Sequence, residues 1–183
     1  MKHGDKPDEW LMGQVALGKQ EFLEPLVRRY ASSLLTYIQR MTGDAHRAEE
    51  LFQEVFWRVW TKRKLYRFPK SFKPWLFTIA TNYCRSSFRK KQVATVSMEG
   101  DLPPAAVSSS TPVEAAIDTE TATIVETAVA QLPHQQRTVV VLRTWNGLSY
   151  AEIAEIVGRK EATVRSNMHH GLAAMRKYLE PRL

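Results

Sequence analysis

From Gln92 to Gln136 the chain carries no lysine or arginine. Inside that interval lies Val96-Ser-Met-Glu-Gly-Asp-Leu-Pro-Pro-Ala-Ala-Val-Ser-Ser-Ser-Thr111, rich in serine and proline. It sustains neither a period of 2 nor one of 3.6, so neither a half-buried strand nor an amphipathic helix runs through it. The segment 96–111 reads as a flexible linker. It splits a chain of 183 residues into 1–95 and 112–183, and each part must bury a core of its own. Domains of this size do fold alone.

Both flanks carry helical spacing. Leu11, Val15, Phe22, Leu26, Tyr30, Leu34, Leu35 and Ile38 recur at it, broken at Gly18. Gly43-Asp44 is a turn in which Asp44 can cap a helix from about Ala45 to Lys64, with Leu51, Val55 and Val59 on one face. Pro69 and Pro74 bracket a loop, and Pro74 suits the first turn of a helix from about Lys73 to Lys91. Beyond the linker, Thr111-Pro112-Val113-Glu114 opens a helix to about Gln131. Pro133 starts another, carrying Val139, Val140 and Leu142 and stopping near Gly147. Ser149-Tyr-Ala-Glu152 is a capping box for a short helix ending at Gly158, and a last helix covers about Glu161 to Leu179. No convincing alternating strand interrupts the pattern. The expected fold is all-α, in two small helical domains.

Charge separates the same two parts. Residues 1–95 hold 18 basic and 9 acidic side chains, whereas 96–183 hold 8 and 10. Between Glu54 and Glu99 there is no acid at all, only 11 lysines and arginines interleaved with Phe56, Trp57, Trp60, Tyr66, Phe68, Phe72, Trp75, Phe77, Tyr83 and Phe88. Like charges at this density repel unless a polyanion neutralises them, and aromatics among them suit a nucleic acid. Trp60, Phe77 and Phe88 individually fit a core better. Several function classes drop out. One cysteine, Cys84, excludes an internal disulfide framework. No apolar stretch approaches the ~20 residues of a membrane span, and the amino-terminal charges precede no signal core, so a cytoplasmic protein without membrane insertion is expected. Glu49-Glu50-Glu54 has no metal-ligating companions and Cys84 has no nearby base. The chain is therefore expected to be no enzyme, with no cofactor, no metal and no small-molecule substrate.

The last two helices have helix-turn-helix spacing. Counting Tyr150 as the first position, Ala154 is fifth, Gly158 ninth and Val164 fifteenth. A small fifth residue lets the helices approach, glycine tolerates the turn, and an apolar fifteenth anchors the second helix. That helix exposes Arg165, Ser166, His169 and His170, with Arg159 and Lys160 at its start. Such a helix can enter the major groove, where arginine reads guanine with two hydrogen bonds. His169 and His170 diverge by about 100° on a helix and have no third ligand, which argues against a metal. Imidazoles that titrate near neutrality would make DNA affinity pH-sensitive.

Five blocks in order now carry a resemblance. They are Ala48-Glu-Glu-Leu-Phe-Gln-Glu-Val-Phe-Trp-Arg-Val-Trp60, Phe72-Lys-Pro-Trp-Leu-Phe-Thr-Ile-Ala-Thr-Asn82, Leu132-Pro-His-Gln-Gln-Arg137, Leu148-Ser-Tyr-Ala-Glu-Ile-Ala154 and Ala162-Thr-Val-Arg-Ser166. The chain resembles bacterial RNA polymerase sigma factors of the small, extracytoplasmic-function (ECF) type from about Asp8 to Leu179, the linker apart. The resemblance implies a region 2 domain over 1–95 and a region 4 domain over 112–183. It implies binding to the β′ clamp and β flap regions of core RNA polymerase, promoter recognition at the minus-ten and minus-thirty-five elements, and an anti-sigma partner.

By the same resemblance, Glu49, Glu50, Gln53, Glu54 and Trp57 form the polymerase-binding face. Tyr66, Phe68 and Phe72 are candidates for stacking on or pocketing melted bases, Asn82 for a base edge, and Arg85, Arg89, Lys90 and Lys91 for phosphates. Trp75 and Leu76 pack the loop, and Phe52 and Phe56 belong to the core. Arg159, Lys160, Thr163, Arg165, Ser166, His169 and His170 are the minus-thirty-five set. The family usually has aspartate at Ser86 and arginine at Asn167, His170 and Leu172, so an unusual base preference and a weaker phosphate grip are expected. The alternative, a one-component helix-turn-helix regulator, needs a ligand pocket or a dimer interface, and residues 1–95 offer neither in an obvious form.

Overall fold

A computed structural model of the chain describes residues 5–96 and 114–182, with side chains at 5–89 and 120–182. The expected linker lies outside the described residues except for Val96, as do the Thr111-Pro112 helix opening and the side chains of Lys90 and Lys91. The elements are α1 (Asp8–Ala16), α2 (Leu23–Thr42), α3 (Ala45–Thr61), α4 (Phe72–Val96), α5 (Glu114–Ala130), α6 (His134–Thr144), α7 (Tyr150–Val157) and α8 (Glu161–Leu179). Single 3-10 turns at Gln20–Phe22 and Arg63–Leu65 precede α2 and follow α3.

The punctuation works as its chemistry requires. Gly43 sits at φ 69° and Asp44 accepts the Arg47 amide at 3.0 Å, stopping α2 and starting α3 within two residues. Both halves of the Ser149–Glu152 capping box form, and Gly158 closes α7 at φ 65°. Helix ends differ from expectation: α3 stops at Thr61 rather than about Lys64, α6 at Thr144 rather than near Gly147, and α4 differs most. α4 starts at Phe72 and continues through Val96, where a helix of about Lys73 to Lys91 was expected. At its start the Phe72 amide donates to the Glu9 carboxylate at 3.3 Å, a cap supplied by α1 that local sequence does not reveal.

α1 to α4 bury Leu11, Leu26, Leu34, Ile38, Leu51, Val55 and Phe77. Within that core the Tyr37 and Thr81 hydroxyls pair at 2.8 Å, so neither is left unsatisfied. In the second half α6 is the central element. Val139, Val140, Val141 and Leu142 are all buried, so this helix is apolar on more than one side. One side meets α8, where Gly171 approaches so closely that a Cβ there would lie 2.7 Å from Val140 Cγ2. The other side meets the first half of the chain.

The two halves therefore pack together. The His134 and Phe88 rings meet at a tilt of 43° with centroids 5.1 Å apart, and Arg137 donates to the Met41 carbonyl at 3.3 Å. Thr138 contacts the Met41 sulfur at 4.0 Å, and Arg40 lies 4.4 Å from the Trp145 ring centroid. Lys73 donates to the Asn146 carbonyl at 2.5 Å, and Lys70 pairs with Glu155 at 3.3 Å. Positions 134, 137, 138, 141 and 145 share one helical face.

The α6–α8 approach yields a stability test. Gly171→Ala should cost about 1–3 kcal/mol through overpacking, even though alanine favours helix by ~1 kcal/mol. Val140→Ala removes the obstructing methyls, so the double variant should lose less than the sum of the two single losses. Urea unfolding of the four chains measures that coupling.

Candidate polymerase and promoter interface

α3 presents the expected acidic and aromatic face. Glu49, Glu50, Gln53 and Trp57 are exposed, the Trp57 side chain at 67%. Its opposite face buries Leu51, Val55, Phe56 and Val59, and Phe52 is half-buried with its ring edge-on to Phe56. Not every acid is unattached. Arg47 binds Glu50 at 2.6 Å, approaches Glu54 at 3.9 Å and reaches Ser87 of α4 at 3.3 Å. Sequence reasoning passed over Arg47, although positions 47, 50 and 54 already had helical spacing.

The loop between α3 and α4 separates its aromatics sharply. Phe68 is 64% exposed, and Leu65 beside it is 65% exposed. Phe72 has no exposed surface and Tyr66 is 6% exposed, which corrects the expectation that both rings are available to bases. The reason is packing: Phe72 contacts the Tyr30 ring at 5.4 Å, and Tyr66 contacts the Trp75 ring at 5.4 Å. The Tyr66 hydroxyl donates to the Lys70 carbonyl and burial pushes it up to about 12, so it stays protonated and pins the loop. Leu76 is buried and Trp75 half-buried, as a packing role requires. On α4, Asn82, Arg85 and Arg89 are exposed along one face. Cys84 is buried and pushed up to about 12 by desolvation, unlike a reactive thiolate.

On α8, Thr163, Arg165, Ser166, His169 and His170 are exposed, while Val164 and Met168 anchor the helix inward. Arg159 and Lys160 project from the turn before it. Ser166 and His170 lie 3.4 Å apart, and the two histidine rings meet edge-on at 5.6 Å. Asn167 is half-buried on the flank of that exposed row, beside Thr163 and His170, where it lines a cleft. Among the described residues no group of three His, Cys, Asp or Glu side chains could hold a metal ion.

Family models match both halves: Sigma-70 region 2 over residues 26–93, and Sigma-70 region 4 over residues 122–175. The chain is 30% identical to the ECF RNA polymerase sigma factor SigW of Bacillus subtilis over 174 residues, covering 91% of this chain and 93% of that protein. It is 32% identical to the ECF sigma factor SigL of Mycobacterium tuberculosis over 171 residues, covering 90% and 93%. The chain belongs to the ECF RNA polymerase sigma factors.

Two solved structures share the fold of this sigma factor. CnrH, in complex with the cytosolic domain of CnrY, matches at a TM-score of 0.74 and 20% identity over 96% of this chain and 99% of that one. The sigma factor RpoE of Bartonella quintana, in complex with the anti-sigma factor NepR, matches at 0.74 and 20%, over 90% and 99%.

In this sigma factor the region 2 and region 4 surfaces face each other across a cleft of about 530 Å³, lined by Arg85 and Phe88 of α4, His134 of α6, and Arg159 and Asn167 beyond α7. Every charged side chain in that lining is basic. Burial, with Arg137 and Arg85 nearby, holds the His134 imidazole below its ordinary value of 6.5. The packed arrangement thus selects neutral His134. When the halves separate, burial against region 2 and the Arg85 charge are relieved while Arg137 stays on the same helix, so the imidazole's affinity for a proton rises and falling pH favours separation. Small-angle scattering should show a constant radius above pH ~7 and expansion as pH drops below ~6.5. His134→Gln should flatten that dependence; an unchanged profile in the variant would place its origin elsewhere.

Proposed function

We propose a division of labour for this sigma factor, which directs core RNA polymerase to promoters. Trp57 anchors the α3 face on the polymerase, flanked by Glu49 and Gln53, with Glu50 and Glu54 held ready by Arg47. An aromatic anchor ringed by polar groups is the usual composition of a strong protein-binding face. Phe68 captures a base of the melted minus-ten strand, and Leu65 extends the platform. Asn82 meets a base edge, while Arg85, Arg89, Lys90 and Lys91 hold phosphates. Tyr66 and Phe72 brace this reader from beneath. In α8, Thr163, Arg165, Ser166, His169 and His170 face the minus-thirty-five duplex, and Arg159 and Lys160 grip its backbone.

The observation that carries this reading is the Phe68 ring, exposed beside Lys64 and Arg67, which have no anionic partner among the described residues. An unburied aromatic among unpaired cations costs stability unless a nucleic acid covers it.

The packed arrangement suits a resting state. The minus-ten and minus-thirty-five elements lie about 25 base pairs apart, or roughly 85 Å along B-form DNA at 3.4 Å per step. A compact chain of 183 residues has a radius of gyration of about 16 Å and a diameter near ~40 Å. Both elements can be read at once only after the halves part, breaking Lys70–Glu155, Lys73–Asn146 and Arg40–Trp145. An anti-sigma factor, of the kind that accompanies the Bartonella quintana protein, would act by holding or covering the packed form. The factor works in the cytoplasm and contributes no catalytic group; the polymerase supplies the chemistry.

Phe68→Ala separates melting from binding. Loss of one base–aromatic stack, worth ~1–3 kcal/mol, should lower the equilibrium yield of open complex by about 5- to 150-fold. Affinity for core polymerase should stay the same. Permanganate footprinting and run-off transcription on a selected promoter measure the first, and co-migration with core the second. Normal melting by the variant would overturn the assignment.

A further inference from the structure

Tyr150 opens α7 and is half-buried, and two guanidinium groups meet its ring. The central carbon of Arg165 lies 4.4 Å from the ring centroid and that of Arg143 lies 4.9 Å away. Arg143 is tied down by its own bond to the Leu148 carbonyl, at 2.9 Å. Arg165 is held from a second direction. Its Nε and Nη2 both donate to Oε1 of Glu161, at 3.0 and 2.5 Å. One exposed arginine on the DNA-facing helix is thus clamped between a ring and a carboxylate.

The clamp decides which edge of Arg165 remains available. A guanidinium has five N–H groups in a rigid fork. Glu161 occupies one on Nε and one on Nη2, leaving both on Nη1 and the second on Nη2. The open edge is the end-on pair Nη1–Nη2, which can donate in parallel to guanine O6 and N7 in the major groove. A long side chain ordinarily surrenders rotamer freedom when it binds, and here the ring and the carboxylate have restricted it beforehand.

The geometry points to Tyr150 as a positioning residue for base selection: its ring, with Glu161, presents the end-on edge of Arg165 to a guanine of the upstream promoter element. Tyr150 touches no base and acts through Arg165. The inference rests on the assignment of α8 to that duplex, and the experiment tests the two separately.

Holoenzyme reconstituted with each variant is used to select duplexes from a pool randomised across the upstream element, and base preferences are counted by position. Arg165→Ala should erase a guanine preference at one position and thereby identify it. Tyr150→Leu keeps apolar bulk but removes the ring face. It should reduce preference at that same position roughly two- to five-fold, as expected for a solvent-accessible cation–π contact. Other positions should be unaffected, as should the salt dependence of binding, which counts phosphate contacts. Tyr150→Phe should match the unsubstituted factor. Should Tyr150→Leu fail to fold, Glu161→Gln tests the same clamp from its exposed side and should weaken the same preference. The proposal is overturned if the folded Tyr150→Leu factor keeps its guanine preference or loses preference at all positions alike. If Arg165→Ala changes no position, the assignment of α8 fails first and the role of Tyr150 falls with it.

Discussion

Helix α6 is the constraint on which the rest of the arrangement depends. Its four consecutive apolar residues, Val139 to Leu142, cannot all be buried against one neighbour, because consecutive helical positions point about 100° apart. α8 covers one side, with Gly171 permitting close approach to Val140. The other side needs a second cover, and α2 supplies it around Met41. The packed form of this sigma factor is thus favoured by apolar surface of region 4 that region 2 covers, which is why we propose it as the resting form.

The same interface engages two lysines beside the proposed minus-ten reader. Lys70 and Lys73 flank the minus-ten loop, and here they bind Glu155 and the Asn146 carbonyl. An exposed ion pair such as Lys70–Glu155 contributes little, so with the Lys73 hydrogen bond it sets the register of the two halves more than it holds them together. Burial of apolar surface around α6 stabilises the packed form more than these pairs do. On the proposed opening, polymerase and promoter must offer surface enough to replace it, which would couple opening of the factor to assembly of the initiation complex.

The surfaces proposed to meet polymerase and promoter share one physical pattern. In the α3–α4 loop the Tyr66 ring is buried with its hydroxyl satisfied by the Lys70 carbonyl, whereas the Phe68 ring, proposed above to meet a base, is left bare. Carboxylates on these faces hold cations in place: Glu50 and Glu54 engage Arg47 on α3, and Glu161 engages Arg165 on α8. Neighbouring charge of opposite sign thus orders long side chains before any partner arrives.

Local chemistry determined a great deal of this by itself. Asp44, Ser149, Gly43 and Gly158 act within a few residues of themselves, so the helix ends they mark are readable in sequence, as is the exposed row on α8. The division of charge between the halves also required no structure, since charge is additive along the chain. What sequence could not supply depends on contacts between distant segments. Phe68 and Phe72 are the same residue type four positions apart in one basic stretch, and packing against Tyr30 of α2, with Tyr66 and Trp75, decided which was buried. The amide of Phe72 is capped by Glu9, 63 residues away, which shifted the start of α4. Tyr150 looked like one helix-opening residue among several until folding set Arg143 and Arg165 against its ring. Sequence settled which residues can act; tertiary structure settled which surfaces remain free to do so, because burial is a property of neighbours that the local chain does not name.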